Sequence, residues 1–131
     1  MTFGEALYGL LSADDQVAAM VRANGLVKIF PDVAPQGVAQ PFVVYHVVDD
    51  ASIQTLEGAS ASLAQARIQV DCYAKAYASA QELARRVAAV LSRYTTASLT
   101  CARLSGHDAY DDEAMLHRVV ADFSMWKRSD L

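Results

Sequence analysis

One alternating segment, followed almost at once by an amphipathic helix, constrains the fold of this chain most strongly. Residues 67–74, RIQVDCYA, alternate between apolar and polar side chains, as expected for a strand with one buried face. The apolar face carries Ile68, Val70 and Cys72, and the polar face carries Arg67, Gln69, Asp71 and Tyr73. Ser79 and Glu82 have the spacing of a capping box, and an apolar stripe with helical period follows to position 94. The two elements together predict a sheet covered by a helix.

The remaining elements extend this prediction to one α+β domain over residues 1–131. Thr2 and Glu5 form a second possible capping box before a helix, and Ser12 is predicted to cap a further short helix. Further strands are predicted at 26–30, 41–48, 98–105 and 116–126, with a turn at 106–114 between the last two. Few of the connections are helical crossovers, so we expect an antiparallel β-sheet with helices packed on one face.

The segment DDASIQTLEGASASLAQ, residues 49–65, has no clear periodicity. Loops longer than about 12 to 15 residues are uncommon in compact domains, and those that occur are often functional or mobile. The segment is therefore predicted to be a long mobile loop with a role in binding.

The net charge of −4 is concentrated in one part of the chain. No Lys or Arg lies between Ile29 and Ala66, whereas Asp32, Asp49, Asp50 and Glu57 all do. The rest of the chain carries equal numbers of acidic and basic residues. A surface built from this segment repels phosphate, since binding to nucleic acid needs Lys and Arg to displace counterions. A module that reads nucleic-acid sequence is disfavoured.

Motifs for nucleophilic catalysis are weak in this sequence. GASAS at 58–62 lacks the last glycine of G-x-S-x-G. Cys72 is a possible nucleophile with His46 or His117 as its base. The alternation, however, places Cys72 among apolar side chains, where a thiol is buried and unreactive. We predict no catalytic residue.

Metal and cofactor motifs are also weak. The stretch HDAYDDEA offers five possible ligands between His107 and Glu113, but it lacks the alternating oxygens and the glycine of a calcium-binding loop. A solvated acidic turn is the preferred interpretation. Both glycine-rich phosphate-binding motifs are absent, so no metal and no cofactor are predicted.

Two aspartates in predicted strands allow two interpretations. Asp71 and Asp122 both lie on polar faces, although aspartate is uncommon in strands. If their strands are neighbours, the two carboxyl groups would suit a small acid–base or metal-dependent hydrolase. Alternatively they bond Arg67, Arg118 or an arginine of another subunit. The second interpretation is preferred, because no nucleophile or base accompanies them.

Four segments in this order resemble a known family. They are KIFPDVAPQGVAQPFVVYHVV, LEG, ARIQVDCYAKAYASAQELARRVAAVL and DFSMW. This set is similar to the tail-completion, or tail-terminator, proteins of long-tailed bacteriophages, which are also found in prophages and gene transfer agents. The resemblance implies an α+β subunit without catalytic residues.

The resemblance also implies a location and partners. Such subunits are made in the bacterial cytoplasm and form a ring, typically a hexamer, at the head-proximal end of the tail tube. The ring ends tube polymerisation and joins the tail to the head connector, while DNA passes through without specific binding and no membrane is involved. The implied partners are further copies of the chain, the major tail tube protein and the connector. A neighbouring head–tail connector component is the alternative within this class.

The charge pattern and the polar strand faces agree with an assembly role. An acidic 29–66 segment suits the lumen of a ring through which DNA passes. Aromatic residues and Arg are enriched in interface cores, so subunit or partner contacts are expected at a set of polar-face and acidic residues. These are Asp49, Asp50, Glu57, Arg67, Asp71, Tyr73, Arg118, Asp122 and Trp126.

Overall fold

The computed structural model describes residues 2–53, 63–93 and 99–128 of the chain. Three helices lie in this part of it: α1 (Phe3–Ala13), α2 (Asp15–Val21) and α3 (Tyr77–Arg93). The strands are β1 (Arg22–Ala23), β2 (Leu26–Val27), β3 (Ile29–Pro31), β4 (Phe42–Ile53), β5 (Leu63–Ala74), β6 (Leu99–Asp111) and β7 (Leu116–Arg128). The predicted α+β class is confirmed.

Five strands form one sheet in the order β3-β4-β5-β7-β6. The four long strands pair antiparallel, as predicted. β3 differs, because it runs parallel to β4. The chain returns to the start of β4 through residues 32–41, and this return segment is held by Lys28, whose buried Nζ donates a hydrogen bond to the Ala39 carbonyl at 2.7 Å. The predicted strand at 26–30 is accordingly divided, with β2 pairing to β1 in a separate hairpin.

The three helices pack on one face of the sheet, where the main core lies. The apolar side of the alternation in β5 faces them, so Ile68, Val70 and Cys72 are buried as predicted. They meet Leu7 and Leu83 of the helices. Each fully buried Leu or Phe side chain contributes about 1.5–3 kcal/mol by leaving water. The predicted packing of helices on one face is confirmed.

The opposite face of the sheet carries a smaller apolar cluster at one end. Phe42, Val44 and Leu116 are buried there, with Ala34 and Val38 of the return segment packed against them. This cover reaches only part of the face. The remainder is the polar surface described below.

Asp14 joins α1 to α2 and ties both to α3. Its carboxylate accepts a hydrogen bond from the Val17 N–H at 2.9 Å, which makes Asp14 the N-cap of α2. The predicted cap at Ser12 is wrong, because α1 continues through that residue and the Ser12 hydroxyl bonds back to the Gly9 carbonyl. Asp14 also receives two hydrogen bonds from the Arg86 guanidinium, at 2.9 and 3.1 Å.

These contacts predict a pH-dependent contribution to stability. The Arg86 guanidinium lowers the pKa of Asp14 below its ordinary value. A carboxyl group with a lower pKa in the folded state stabilises the fold above its unfolded pKa of about 3.9, and this stabilisation is lost as the pH falls through the folded pKa. Asp14→Asn keeps a capping residue but loses the ion pair, so its free energy of unfolding should fall less steeply with acidification than that of the wild type.

Urea denaturation between neutral and acidic pH measures this difference. Asp14→Ala serves as the matched control, since it loses the cap as well and should be about 1 kcal/mol less stable than Asp14→Asn. Parallel pH profiles for the wild type and Asp14→Asn would contradict the assignment.

Two predicted boundaries near β6 and α3 are wrong. α3 begins at Tyr77 rather than after Ser79, and Gly106–Asp111 continues β6 instead of forming a turn. Asp108 of β6 accepts hydrogen bonds from the Tyr77 hydroxyl at 2.9 Å and the Gln81 amide at 2.7 Å. Residues 106–111 extend β6 by pairing with β7, and the Asp108 contacts link this extension to the first turns of α3. The turn itself is limited to residues 112–115.

The predicted loop at 49–65 is partly wrong. Residues up to Ile53 extend β4, residues from Leu63 extend β5, and the two strands remain paired there from Asp49↔Arg67 to Ile53↔Leu63. These residues form strands because they pair with each other across β4 and β5, although their sequence has no regular apolar alternation. The rest of that prediction, residues 54–62, lies outside the described residues.

Candidate functional site on the helix-free face of the sheet

The helix-free face is the surface of β4, β5 and β7 that points away from the helices. Strand alternation places one polar set on it, since residues two apart share a face. The register aligns Asp71 with Val120, Gln69 with Asp122 and Tyr73 with Arg118. Several residues that the sequence singled out on separate strands therefore come together.

Asp71 lies at the centre of this face and is buried, with a side chain only 2% exposed. Its carboxylate lies 3.1 Å from Nη2 of Arg118 and accepts a hydrogen bond from the Gln69 amide at 3.0 Å. Nε2 of His46 lies 3.6 Å away. Asp71 lies on the polar face of β5 as predicted, but it is buried there because Arg118, Gln69 and His46 of the sheet strands lie against it. A buried carboxylate is tolerated here because it is paired and hydrogen-bonded.

Arg118 is held between a charge and an aromatic ring. Its guanidinium carbon lies 5.8 Å from the centroid of the Tyr73 ring, and that ring stacks on Phe42 at 4.7 Å. Nε of Arg118 is buried and has no hydrogen-bond partner in the described part of the chain. Burial raises the pKa of the Tyr73 hydroxyl, which keeps it protonated at neutral pH. Tyr73 lies on the polar face as predicted and is half-buried there.

Asp122 forms a second, more exposed ion pair. Its carboxylate lies 3.6 Å from Nη2 of Arg67 and receives a hydrogen bond from the Ser105 hydroxyl at 3.3 Å. Asp71 and Asp122 lie on neighbouring strands, but each faces its own arginine. The structure therefore contains the predicted ion pairs of Asp71 and Asp122 with Arg118 and Arg67. Two carboxylates that share a proton would need to lie against each other instead.

A cleft of about 400 Å³ opens beside Asp71. Asp32, His46, Asp111 and Arg118 line it together with the apolar cluster at this end of the face. Nδ1 of His46 lies 3.6 Å from the Asp32 carboxylate. The residues that line the cleft include no Ser, Thr or Cys. Its excess of carboxylates suits a cationic group of a partner better than a reaction with a nucleophile.

The cysteines lie on the other side of the sheet from this cleft. Cys72 is buried in the main core, so His46 does not reach it, and burial raises the pKa of its thiol. Burial also raises the pKa of Cys101, to about 11. The interpretation of Cys72 as a buried, unreactive thiol agrees with this environment.

Slow thiol labelling is the expected result for the native protein. At about pH 8, an exposed cysteine with an ordinary pKa of about 8.5 reacts readily with a maleimide or a disulfide reagent, whereas Cys72 and Cys101 should react only after unfolding. Mass spectrometry of the labelled chain, with and without urea, counts the modified thiols. Rapid labelling of either cysteine in the folded protein would contradict its assigned burial.

The acidic stretch 107–113 is divided between two structural roles. Gln81 and Tyr77 lower the pKa of Asp108 by hydrogen bonding to it. Asp111 accepts hydrogen bonds from the N–H groups of Glu113 and Ala114, both at 3.1 Å, and so closes the turn. Among the residues that the structure describes, no three His, Cys, Asp or Glu side chains are placed to hold a metal ion.

The other predicted contact residues are dispersed. Asp49 is exposed and lies opposite Arg67 across β4 and β5, and Trp126 is half-buried beside Gln65. The side chains of Asp50 and Glu57 lie outside the described residues. Sequence reasoning missed His46 and Asp32 as neighbours of Asp71. His46 lies two residues from Val44 in β4 and so on the same face, and this spacing was the available signal for His46. Asp32 reaches the site only through tertiary structure.

Comparison with known proteins identifies the family. Residues 5–128 match the family described as Tail completion protein gp17. The chain belongs to this family. The resemblance to tail-completion proteins is thereby confirmed, and the protein is a structural component of a phage-type tail that works in contact with other components of the particle.

A solved structure shares the fold of this tail completion protein. A chain in the virion of a native gene transfer agent (GTA) particle superposes with a TM-score of 0.75 at 21% identity. The match covers 97% of this chain and 95% of that one. Comparison with curated protein sequences gave no match. Each helix in the described residues is too short or too polar to cross a membrane.

Proposed function

We propose that this protein caps the head-proximal end of the tail tube, ends tube polymerisation and joins the tail to the head connector. The observation that carries the proposal is family membership over residues 5–128. The protein acts as a homo-oligomeric ring, taken to be a hexamer, and its further partners are the major tail tube protein and the connector. Assembly takes place in the host cytoplasm before the ring becomes part of the particle.

The contacts of the helix-free face support a binding role rather than catalysis. Asp71 and Asp122 each have an arginine partner, and both ion pairs span β5 and β7. Such pairs fix the positions of Arg67 and Arg118 at a surface. A hydrolase that used the two aspartates would need them free to exchange protons with a substrate. We therefore assign no catalytic residue to this protein.

The exposed members of this face form the proposed partner surface. Arg67 is more than half exposed, and Tyr73, Arg118, Asp122 and Trp126 are partly exposed around it. Arg and aromatic side chains contribute most to interface energies. Asp71 acts through Arg118, which it positions. Asp49, Asp50 and Glu57 belong to the same proposal, as acidic contact residues of the segment 49–65.

The charge distribution supports passage of DNA without binding. Asp32 is highly exposed, and Asp49 is exposed on the same part of the chain, which has no Lys or Arg. An acidic lining repels the phosphate backbone, so DNA moves through the ring without specific contacts.

Inactivation of the gene in the phage or phage-like particle that encodes this chain tests the proposal. Electron microscopy should show tails of uncontrolled length without heads, and expression of the wild-type chain in trans should restore normal particles. Tails of normal length that lack heads would assign the chain to the neighbouring connector instead. Normal particles in the absence of the chain would overturn the proposal.

A further inference from the structure

We infer that neighbouring copies of this chain meet edge to edge, with the β6 edge of one copy against the β3–β4 edge of the next. The inference rests on the proposed function, because it names the subunit contact of the proposed ring. Two surfaces carry it, a basic groove beside β6 and an acidic groove beside β4. Both lie on the helix side of the same sheet, at its opposite edges.

Both edges of the sheet offer unpaired backbone in the described residues. β6 is the last strand of the sheet and has a neighbour on one side only. At the other edge, β3 covers only Val43–Tyr45 of β4. The following residues of β4 pair with β5 on their inner side and have an open outer side. Exposed strand edges are common sites for pairing with another chain.

The basic groove lies between α3 and β6. It has a volume of about 320 Å³ and is lined by Arg85 and Arg103 over a floor of small apolar residues. Arg85 pairs with Glu82 of the same helix, whereas Arg103 has no carboxylate partner in the described residues. The Arg103 guanidinium lies across Gly106, where an added Cβ would approach it to 2.5 Å. Leu104, at the bulge of β6, is 54% exposed beside this arginine.

The acidic groove lies at the start of α1, beside β3 and β4. It has a volume of about 310 Å³ and is lined by Glu5, Asp32, Tyr45 and Val47. No Lys or Arg lines it. Val47 is 40% exposed and its neighbour Val48, at the bulge of β4, is 55% exposed. The groove thus combines negative charge with exposed aliphatic surface.

The two grooves are complementary in charge, and exposed aliphatic side chains accompany both: Val47 lines the acidic groove, and Leu104 follows Arg103 in the chain. When a second sheet continues the first edge to edge with its helices on the same side, Arg103 approaches Glu5, and Leu104 approaches Val47. The contact joins two different patches, so each copy keeps one free edge for the next, and such a head-to-tail contact forms a ring when the rotation between copies closes. Opposite charges at an interface also favour one orientation over others.

Cross-linking of engineered cysteines tests this contact. The full chain carrying Val47→Cys and Leu104→Cys, treated with a short bis-maleimide, should give a ladder of covalent oligomers on denaturing gels. Either single variant should remain monomeric, because each patch meets the other and not itself. The matched control carries Val47→Cys and Met115→Cys. Met115 is 69% exposed but lies in the turn beyond β6, so this variant should not form the ladder.

A charge reversal provides the second arm. Arg103→Glu in the double-cysteine background should reduce the ladder at least about tenfold, and raising the ionic strength should weaken the ladder of the parent. Circular dichroism confirms that each variant is folded. The absence of a ladder from the double variant, or equal ladders from the single variants, would overturn the inference.

The outcomes separate this contact from the proposed function. If the chain restores normal tails in the particle assay but gives no ladder, the proposed capping role stands and the proposed edge contact is wrong. If the chain gives the ladder but tails of normal length form without it, the proposed edge contact stands and the proposed capping role is wrong. Binding of DNA by the basic groove would make the ladder sensitive to added duplex, and that result would also overturn the inference.

Discussion

Asp71→Ala is expected to lower the free energy of unfolding by about 3 kcal/mol, because it removes one partner of a largely buried ion pair. Arg118 would remain facing Tyr73 without its carboxylate, and the Gln69 amide would lose its acceptor. The expected loss of stability lies near the lower end of the range for buried ion pairs, since the Arg118 side chain is about one third exposed. Urea denaturation followed by circular dichroism measures the change.

Asp122→Ala is the matched control for this prediction. Its partner Arg67 is more than half exposed, so the loss should be about 1 kcal/mol or less. A second comparison uses Asp71→Leu combined with Arg118→Met, which removes both charges and should recover most of the loss. An Asp71→Ala variant as stable as the wild type would show that the carboxylate is not held as described.

Phe123→Ala is expected to cost about 4 kcal/mol, the range for removal of a fully buried aromatic ring. Phe123 has no exposed surface and lies in β7 beside Ile68 of β5, beneath the helices. The ring fills the centre of the core, where close packing leaves little room for neighbours to move into the cavity. Thermal and urea denaturation should both show the loss.

Leu26→Ala tests whether such a loss is specific to the core. Leu26 is 54% exposed in the β1–β2 hairpin, so its truncation should change stability by about 0.5 kcal/mol or less. A similar loss for the two variants would mean that Phe123 is not in the core. A marginally stable wild type would show Phe123→Ala as unfolded, and Phe123→Leu then gives a smaller measurable loss.

The strands near the centre of the sheet were predictable because local pattern and burial agree there. In β5, alternation correctly assigned Ile68, Val70 and Cys72 to the helix-covered face. In α1, the capping box of Thr2 and Glu5 is present as predicted, with both hydrogen bonds formed. These features depend on residues two to four positions apart, and so the sequence contains the whole interaction.

The boundaries that were wrong depend on residues distant in the chain. The earlier start of α3 places Tyr77 in its first turn, where its hydroxyl donates a hydrogen bond to Asp108, far along the sequence. The α2 cap is Asp14 rather than Ser12, and Asp14 also binds Arg86 of α3. A capping motif is a local preference of about 1 kcal/mol, and a tertiary contact of similar size is enough to move a boundary.

The sequence by itself determined the class of the fold, the faces of β5 and β7, the inert setting of Cys72 and the family. Only the tertiary structure decided what the polar faces do. Asp71 is buried instead of exposed because Arg118 of β7 and His46 of β4 lie against it, and the parallel β3–β4 pair brings Asp32 to the other side of His46. Alternation reports which face a side chain lies on, whereas burial depends on what crosses that face, and distant parts of the chain determine this.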